Sequence, residues 1–130
     1  MLRRLKRHEL LYYWLPVPFW MGLIFAVSSQ PSLPSHPNGL VDFVLKKGSH
    51  AAEYGILAFL FWRALSKGKG ACAATPYTSA FVLTVLYALS DEYHQTFVAG
   101  RNGRIGDVGV DALGAVLTLL LIRRFAKRGG

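Results

Sequence analysis

Four apolar stretches, each about as long as a bilayer core requires, divide this chain, and acidic residues are embedded in three of them. Of seven acidic residues, five lie inside or at the edge of apolar sequence: Glu53, Asp91, Glu92, Asp107 and Asp111. His50 and His94 stand beside them. A carboxylate at the centre of a membrane helix costs about 2.5–3.5 kcal/mol on insertion scales. Ionisable groups in such segments face the protein interior, pair with one another and mark functional sites. The chain must therefore enclose these groups while turning hydrocarbon outward.

The stretches cover about 10–28, 49–66, 77–97 and 107–125. Pro16 and Pro18 predict a kink in the first. The connection 29–38 (SQPSLPSHPN) carries three prolines and reads as an irregular loop. The connection 67–76 reads as a short link, and 98–106 (VAGRNGRIG), with three glycines, as a tight turn. The expected fold class is all-α, a polytopic membrane protein with four transmembrane helices in a bundle, forming one domain over 1–130. Hydrophobic residues make up 52% of the chain, more than a soluble domain of 130 residues could cover with polar groups. The first stretch has a basic start and the small-residue pattern Ala26-Val27-Ser28. Its apolar part exceeds the usual signal-peptide length, so it reads as a span rather than a cleaved leader. The single cysteine, Cys72, excludes an internal disulfide and a cysteine-cluster metal site.

Orientation follows from lysine and arginine. Arg3, Arg4, Lys6, Arg7, Arg63, Lys67, Lys69, Arg123, Arg124, Lys127 and Arg128 fall on one side; Lys46, Lys47, Arg101 and Arg104 fall on the other. Both termini are therefore expected in the cytoplasm. The basic residues stand at the ends of apolar segments and form no stripe interleaved with aromatics. The net charge of +8 thus points to topology and not to nucleic acid.

With that orientation the unusual polar residues converge. His50 and Glu53 lie in the first turns of the second span, and Asp91, Glu92, His94 and Gln95 in the last turns of the third. Asp107 and Asp111 lie in the first turns of the fourth, with Arg101 and Arg104 in the turn before it. All fall at the outer leaflet. Lys46, His50 and Glu53 share a helix face, as do Asp91, His94 and Gln95, with Glu92 about 100° round from Asp91. Asp107, Asp111 and Gly114 share another face, and Gly114 would admit a close helix neighbour. Asp107, at a helix start, suits the free N–H groups there. The candidate core is Glu53, Asp91, Glu92, His94 and Asp107, with roles unassigned. Lys46, His50, Gln95, Arg101, Arg104 and Asp111 are candidate substrate-binding residues. Tyr54 and Tyr93 either bond to this cluster or belong to an outer aromatic belt. Tyr12 and Tyr13 read as a cytoplasmic belt, and Trp14, Trp20 and Trp62 as interface or core aromatics. Arg63 is placed to snorkel to the inner headgroups.

Lys46-x3-His50-x2-Glu53-Tyr54, Ser90-Asp91-Glu92-x-His94-Gln95-x-Phe97, Gly100-Arg101 and Asp107-Val108-x2-Asp111-x2-Gly114-Ala115 together resemble the VanZ-like family of small bacterial membrane proteins. Ser28-Ser29-Gln30-Pro31 after the first span adds to the likeness, which covers about 10–125. Ala99 stands where the family often has proline, and Asp111 where it often has asparagine. The resemblance implies a multi-pass protein of the bacterial cytoplasmic membrane. Through a founding member linked to teicoplanin resistance, it also implies a place in the cell envelope and in antibiotic resistance. A phosphotransbutyrylase label borne by some relatives finds no nucleotide- or CoA-binding feature here.

Several functions fit these residues. The first is binding or modification of a lipid-linked or envelope substrate at the outer leaflet. Lysine and arginine would hold phosphate or carboxylate, and the acids would hold amines or sugar hydroxyls or act as base. The second is a purely structural or adaptor role, the cluster being a buried salt-bridge network in which His50 bonds to Glu53, or a face for an envelope protein partner. The third is a metal-dependent intramembrane hydrolase or transferase, since His50-x2-Glu53 and Asp91-x2-His94 have ligand spacing. No residue is assigned to metal and no cofactor is assigned. A proton path is disfavoured because the inner half of every span is apolar apart from Arg63. Enzyme and binder both remain open, and the bilayer is the one partner implied throughout.

Overall fold

Helical periodicity interrupted at the proline- and glycine-rich connections produces five α-helices and, among the described residues, no strand. They are α1 (Arg7–Trp14), α2 (Pro16–Ser28), α3 (Gly39–Ser66), α4 (Ala74–Gln95) and α5 (Ile105–Gly129). This computed structural model describes residues 6–28, 37–66, 74–97 and 105–129.

Helices α1 and α2 are two parts of the expected first span. Leu15 between them keeps helical angles, φ −60° and ψ −39°. Its N–H donates to the Leu11 carbonyl at 2.9 Å. Pro16 has no N–H to give, so the ladder is interrupted there without ending the rod. The combined rod Arg7–Val27, 21 residues, is the one helix among the described residues that is long and apolar enough to cross a membrane. Helices α3, α4 and α5 have 28, 22 and 25 residues. At about 1.5 Å per residue they are roughly 42, 33 and 38 Å long, against a hydrocarbon core of about 30 Å. Acidic and basic side chains punctuate their apolar sequence.

The second span was expected from 49, yet α3 begins at Gly39. A cap explains the extra turns. Asn38 Oδ1 accepts from the N–H groups of Leu40 at 3.0 Å and Val41 at 3.2 Å. Asp42 sits in the first turn, where the helix dipole favours an anion, and pairs with Lys46 four residues on at 3.1 Å. At the far end of α4, Thr96 and Phe97 form a turn instead of continuing the helix to 97. Their N–H groups donate to the Tyr93 and His94 carbonyls at 3.2 and 3.0 Å. Helix α5 exceeds the expected 107–125 at both ends.

Helix α3 packs against all four others, most extensively against α5 and α4. Its Tyr54, Leu57, Ala58, Phe61 and Ala64 are buried. They meet Ala80, Thr84 and Ala88 of α4, and Val108, Asp111, Ala115 and Leu119 of α5, in one core. Val17 and Ile24 close it from α2. The contact between α3 and α5 is the tightest. A Cβ placed on Gly114 would come within 2.8 Å of the Ala51 Cα and carbonyl carbon, and closer still to its oxygen. A Cβ on Gly55 would come within 2.5 Å of Thr118 Oγ1 and 3.3 Å of the Gly114 oxygen. The expectation that Gly114 admits a close neighbour is met, and Ala51 is that neighbour.

Beside the apolar core, the helices enclose polar side chains and turn large apolar ones outward. Asp91, Glu92, Gln95, Thr84 and Asp111 are buried. Phe19, Leu23, Ile56, Val82, Leu86, Leu113, Leu117, Leu120 and Leu121 are exposed.

Gly114→Ala is expected to destabilise the fold by about 1–3 kcal/mol, because the methyl meets backbone that can move only with the whole helix. Gly109→Ala is the control. Nothing lies within 4 Å of its Cβ position, so the change should be neutral or slightly stabilising. Thermal unfolding in detergent separates the two.

Candidate functional site

The tight α3–α5 seam positions the first half of the polar cluster. His50 and Tyr54 are one turn apart on α3 and straddle Ala51, the residue that touches Gly114. Gly114 in turn lies one turn after Asp111. The result is an ion pair across the helices, His50 Nδ1 to Asp111 Oδ1 at 3.3 Å, outside hydrogen-bond geometry. Asp111 is fully buried and the His50 side chain is 21% exposed. The close partner of His50 is Asp111 of α5, while Glu53, the partner expected for a structural network, lies near enough to act on His50 through its charge.

Helix α4 brings the second half. Its buried face follows Thr84, Ala88, Asp91 and Gln95, with Glu92 beside Asp91. The Tyr54 hydroxyl donates to Asp91 Oδ2 at 2.9 Å, and Tyr54 itself is fully buried. Asp91 is 4% exposed, and its other oxygen, Oδ1, is buried with no hydrogen-bond donor. Three residues on, His94 was expected to share the face of Asp91 and Gln95. It is only partly buried and stacks on Phe25 of α2, with ring centroids 4.5 Å apart. Its Nδ1 is likewise buried without a hydrogen-bond partner. Glu92, about 100° round from Asp91, is enclosed as well, at 5% exposure. Packing decides this, because α4 is wedged between α3 and α5 and buries a face wider than one row of residues.

Helix α2 completes the enclosure. Trp20 Nε1 donates to the Glu53 carbonyl at 2.9 Å, and the Tyr87 hydroxyl donates to the Met21 carbonyl at 2.6 Å. Glu53 is partly buried on the side of α3 facing α2, and the Trp20 bond fixes its backbone. Asp107 lies in the first turn of α5. Lys46 pairs with Asp42 on its own helix. Arg101 and Arg104 lie outside the described residues, as does the Asp107 side chain. So do Cys72 and the turn 98–104.

Of the sequence-derived candidates, the structure thus brings together His50, Glu53, Asp91 and Asp111, with Glu92 and Gln95 buried on the same helix as Asp91. Of the two readings the sequence left for Tyr54, a bond to this cluster or a place in an outer aromatic belt, the bond is the one that forms. Tyr54 is fully buried in the cluster, whereas Tyr93 is 69% exposed and stacks edge-on against Phe97. The signal was present: Tyr54 is four residues after His50, on the same face. At the opposite end the Arg63 guanidinium lies over Tyr12 at 4.5 Å and Tyr13 at 5.0 Å, a cation–π clasp that ties α1 to α3.

Chemically the described cluster is rich in acceptors. Carboxylates accept only, Tyr54 spends its proton on Asp91, and Asp91 Oδ1 waits for a donor. A buried acceptor without a partner is costly, and a donor-bearing group entering beside it would remove that cost. Among the described residues, no group of three or more His, Cys, Asp or Glu could hold a metal ion.

Tyr54→Phe should lower stability by about 1–3 kcal/mol, since it leaves Asp91 buried without its donor. Combined with Asp91→Asn the loss should be less than additive, with a coupling of about 0.5–3 kcal/mol. Thermal unfolding of the two single variants and the double variant in detergent measures both quantities.

No curated protein and no solved structure matches the chain. The family model described as VanZ/LLP1 matches residues 4–126, which span α1 to α4 and α5 as far as 126. The chain is a member of the VanZ/LLP1 family.

Proposed function

We propose that this chain is a four-span protein of the bacterial cytoplasmic membrane with both termini in the cytoplasm. In this reading its buried polar cluster binds the head of a lipid-linked or other envelope substrate at the outer leaflet. The membrane reading is supported by the apolar rod Arg7–Val27, by the lengths of α3, α4 and α5, and by leucine and phenylalanine on outward faces around buried carboxylates. The orientation rests on the asymmetry of lysine and arginine.

One observation carries the site: Asp91, 4% exposed, keeps Oδ1 without a hydrogen-bond donor beside the buried Glu92 and Asp111. Small residues already hold α3 against α5, so helix packing does not require three carboxylates in hydrocarbon. A substrate head with hydroxyl or ammonium donors matches such a set of acceptors. The family membership is consistent with an envelope role.

The site is tested by native mass spectrometry of the full chain purified from a bacterial membrane in mild detergent. Wild type should carry a polyprenyl-linked or other envelope lipid, and Asp91→Asn and Asp107→Ala, folded by circular dichroism, should retain it at least about tenfold less. Wild type without an adduct, or variants that keep it, would move the cluster to a structural network. Topology has its own test. Alkaline phosphatase inserted in 29–36 or 98–104 should be active, and fused at the C-terminus inactive. The reverse pattern would invert the orientation and leave the site chemistry intact.

A further inference from the structure

We propose that a groove between α4 and α5, at the end of the molecule opposite the carboxylates, seats an anionic phospholipid. Its acyl chain would lie along the groove floor and its phosphate on Arg123. The groove has a volume of about 250 Å³. The two helices run antiparallel, so early residues of α4 stand level with late residues of α5. Tyr77, Thr78 and Arg123 line the polar end of the groove. Phe81, Val116 and Leu119 line the part reaching toward mid-molecule, with Leu120 at the rim. A cavity polar at one end and apolar along the rest has the shape of an amphiphile lying parallel to the helices.

Charge selects the occupant. Arg123 is exposed and makes no ion pair among the described residues. A guanidinium binds a phosphate through two parallel hydrogen bonds. The surface next to the groove is apolar, with Leu113, Leu117 and Leu121 of α5 more than half exposed. A phospholipid satisfies both surfaces at once, because its chains meet the leucines and its phosphate meets Arg123, the one cation among the described residues of the groove. The groove is separate from the outer cluster: Tyr77 and Asp91 are 14 residues apart on α4, about 21 Å along the axis. The inference draws on the membrane reading above. Binding in detergent does not depend on which way the chain faces, so an inverted topology would leave it standing.

The experiment is native mass spectrometry of the full chain titrated with phosphatidylglycerol and, separately, phosphatidylcholine of identical acyl chains. Wild type should hold phosphatidylglycerol about tenfold more tightly. Arg123→Gln should abolish that preference. Arg124→Gln, the same loss of charge at the next position outside the groove, should keep it. Leu120→Trp, at an exposed rim position where folding tolerates bulk, should weaken both lipids. Asp91→Asn should leave the preference unchanged, which separates this groove from the outer site. Equal effects of Arg123→Gln and Arg124→Gln would overturn the proposal in favour of diffuse charge attraction. No effect of Leu120→Trp would remove the groove from the binding. A wild-type dimer dissolved by Leu120→Trp would make a second copy of the chain the occupant.

Discussion

The approach of α3 to α5 at Gly55 and Gly114 is the constraint on which the rest of the structure depends. No side chain larger than hydrogen fits at Gly114 while Ala51 stands where it does. That closeness brings Asp111 to within 3.3 Å of His50. It also leaves Tyr54, the next residue along the same α3 face, fully buried with its hydroxyl aimed at α4. A wider seam would admit lipid or water and take His50 out of reach of the buried Asp111, and depriving a buried carboxylate of a partner is costly. In hydrocarbon, helices gain little by burying leucine against leucine, so small residues that let backbones touch supply the attraction.

Around that seam the two ends of the molecule are built differently. One end gathers Asp91, Glu92, Gln95 and Asp111 in the interior, with α2 covering the gap through Trp20, Met21 and Phe25. The other end has its cations at the periphery. Arg63 is clasped by Tyr12 and Tyr13, while Arg123 and Arg124 stand exposed on the last turns of α5. Buried anions at one end and surface cations at the other give the molecule a polarity along its helices. In the proposed membrane reading, lysine and arginine serve as interface anchors while carboxylates stay enclosed.

Most of the helical architecture was legible in the chain. Helix positions followed from apolar runs and breakers, and the ends were the part that moved. Asn38 and Asp42 extended α3 by ten residues because a good cap and a favourable first turn let a helix form ahead of the apolar run. The convergence of His50, Glu53, Asp91 and Asp111 was also legible, because alternating chain direction brings the ends of neighbouring helices to one level. Pairings were less so. A structural network suggested His50 with Glu53, and for Tyr54 the spacing left a bond to the cluster and a place in an outer belt equally open.

By itself the sequence determined that the chain is all-helical, that carboxylates and histidines from three helices meet at one level, and that Gly114 marks a close helix contact. These follow from periodicity, chain direction and residue size, which are local properties. Only the tertiary structure decided that His50 turns to Asp111, that Tyr54 supplies the donor to Asp91, and that Glu92 is enclosed while His94 stacks on Phe25. Those outcomes depend on the rotation of each helix about its own axis. Rotation is set by how side chains of three helices fill the space between them, and no spacing within one helix encodes it.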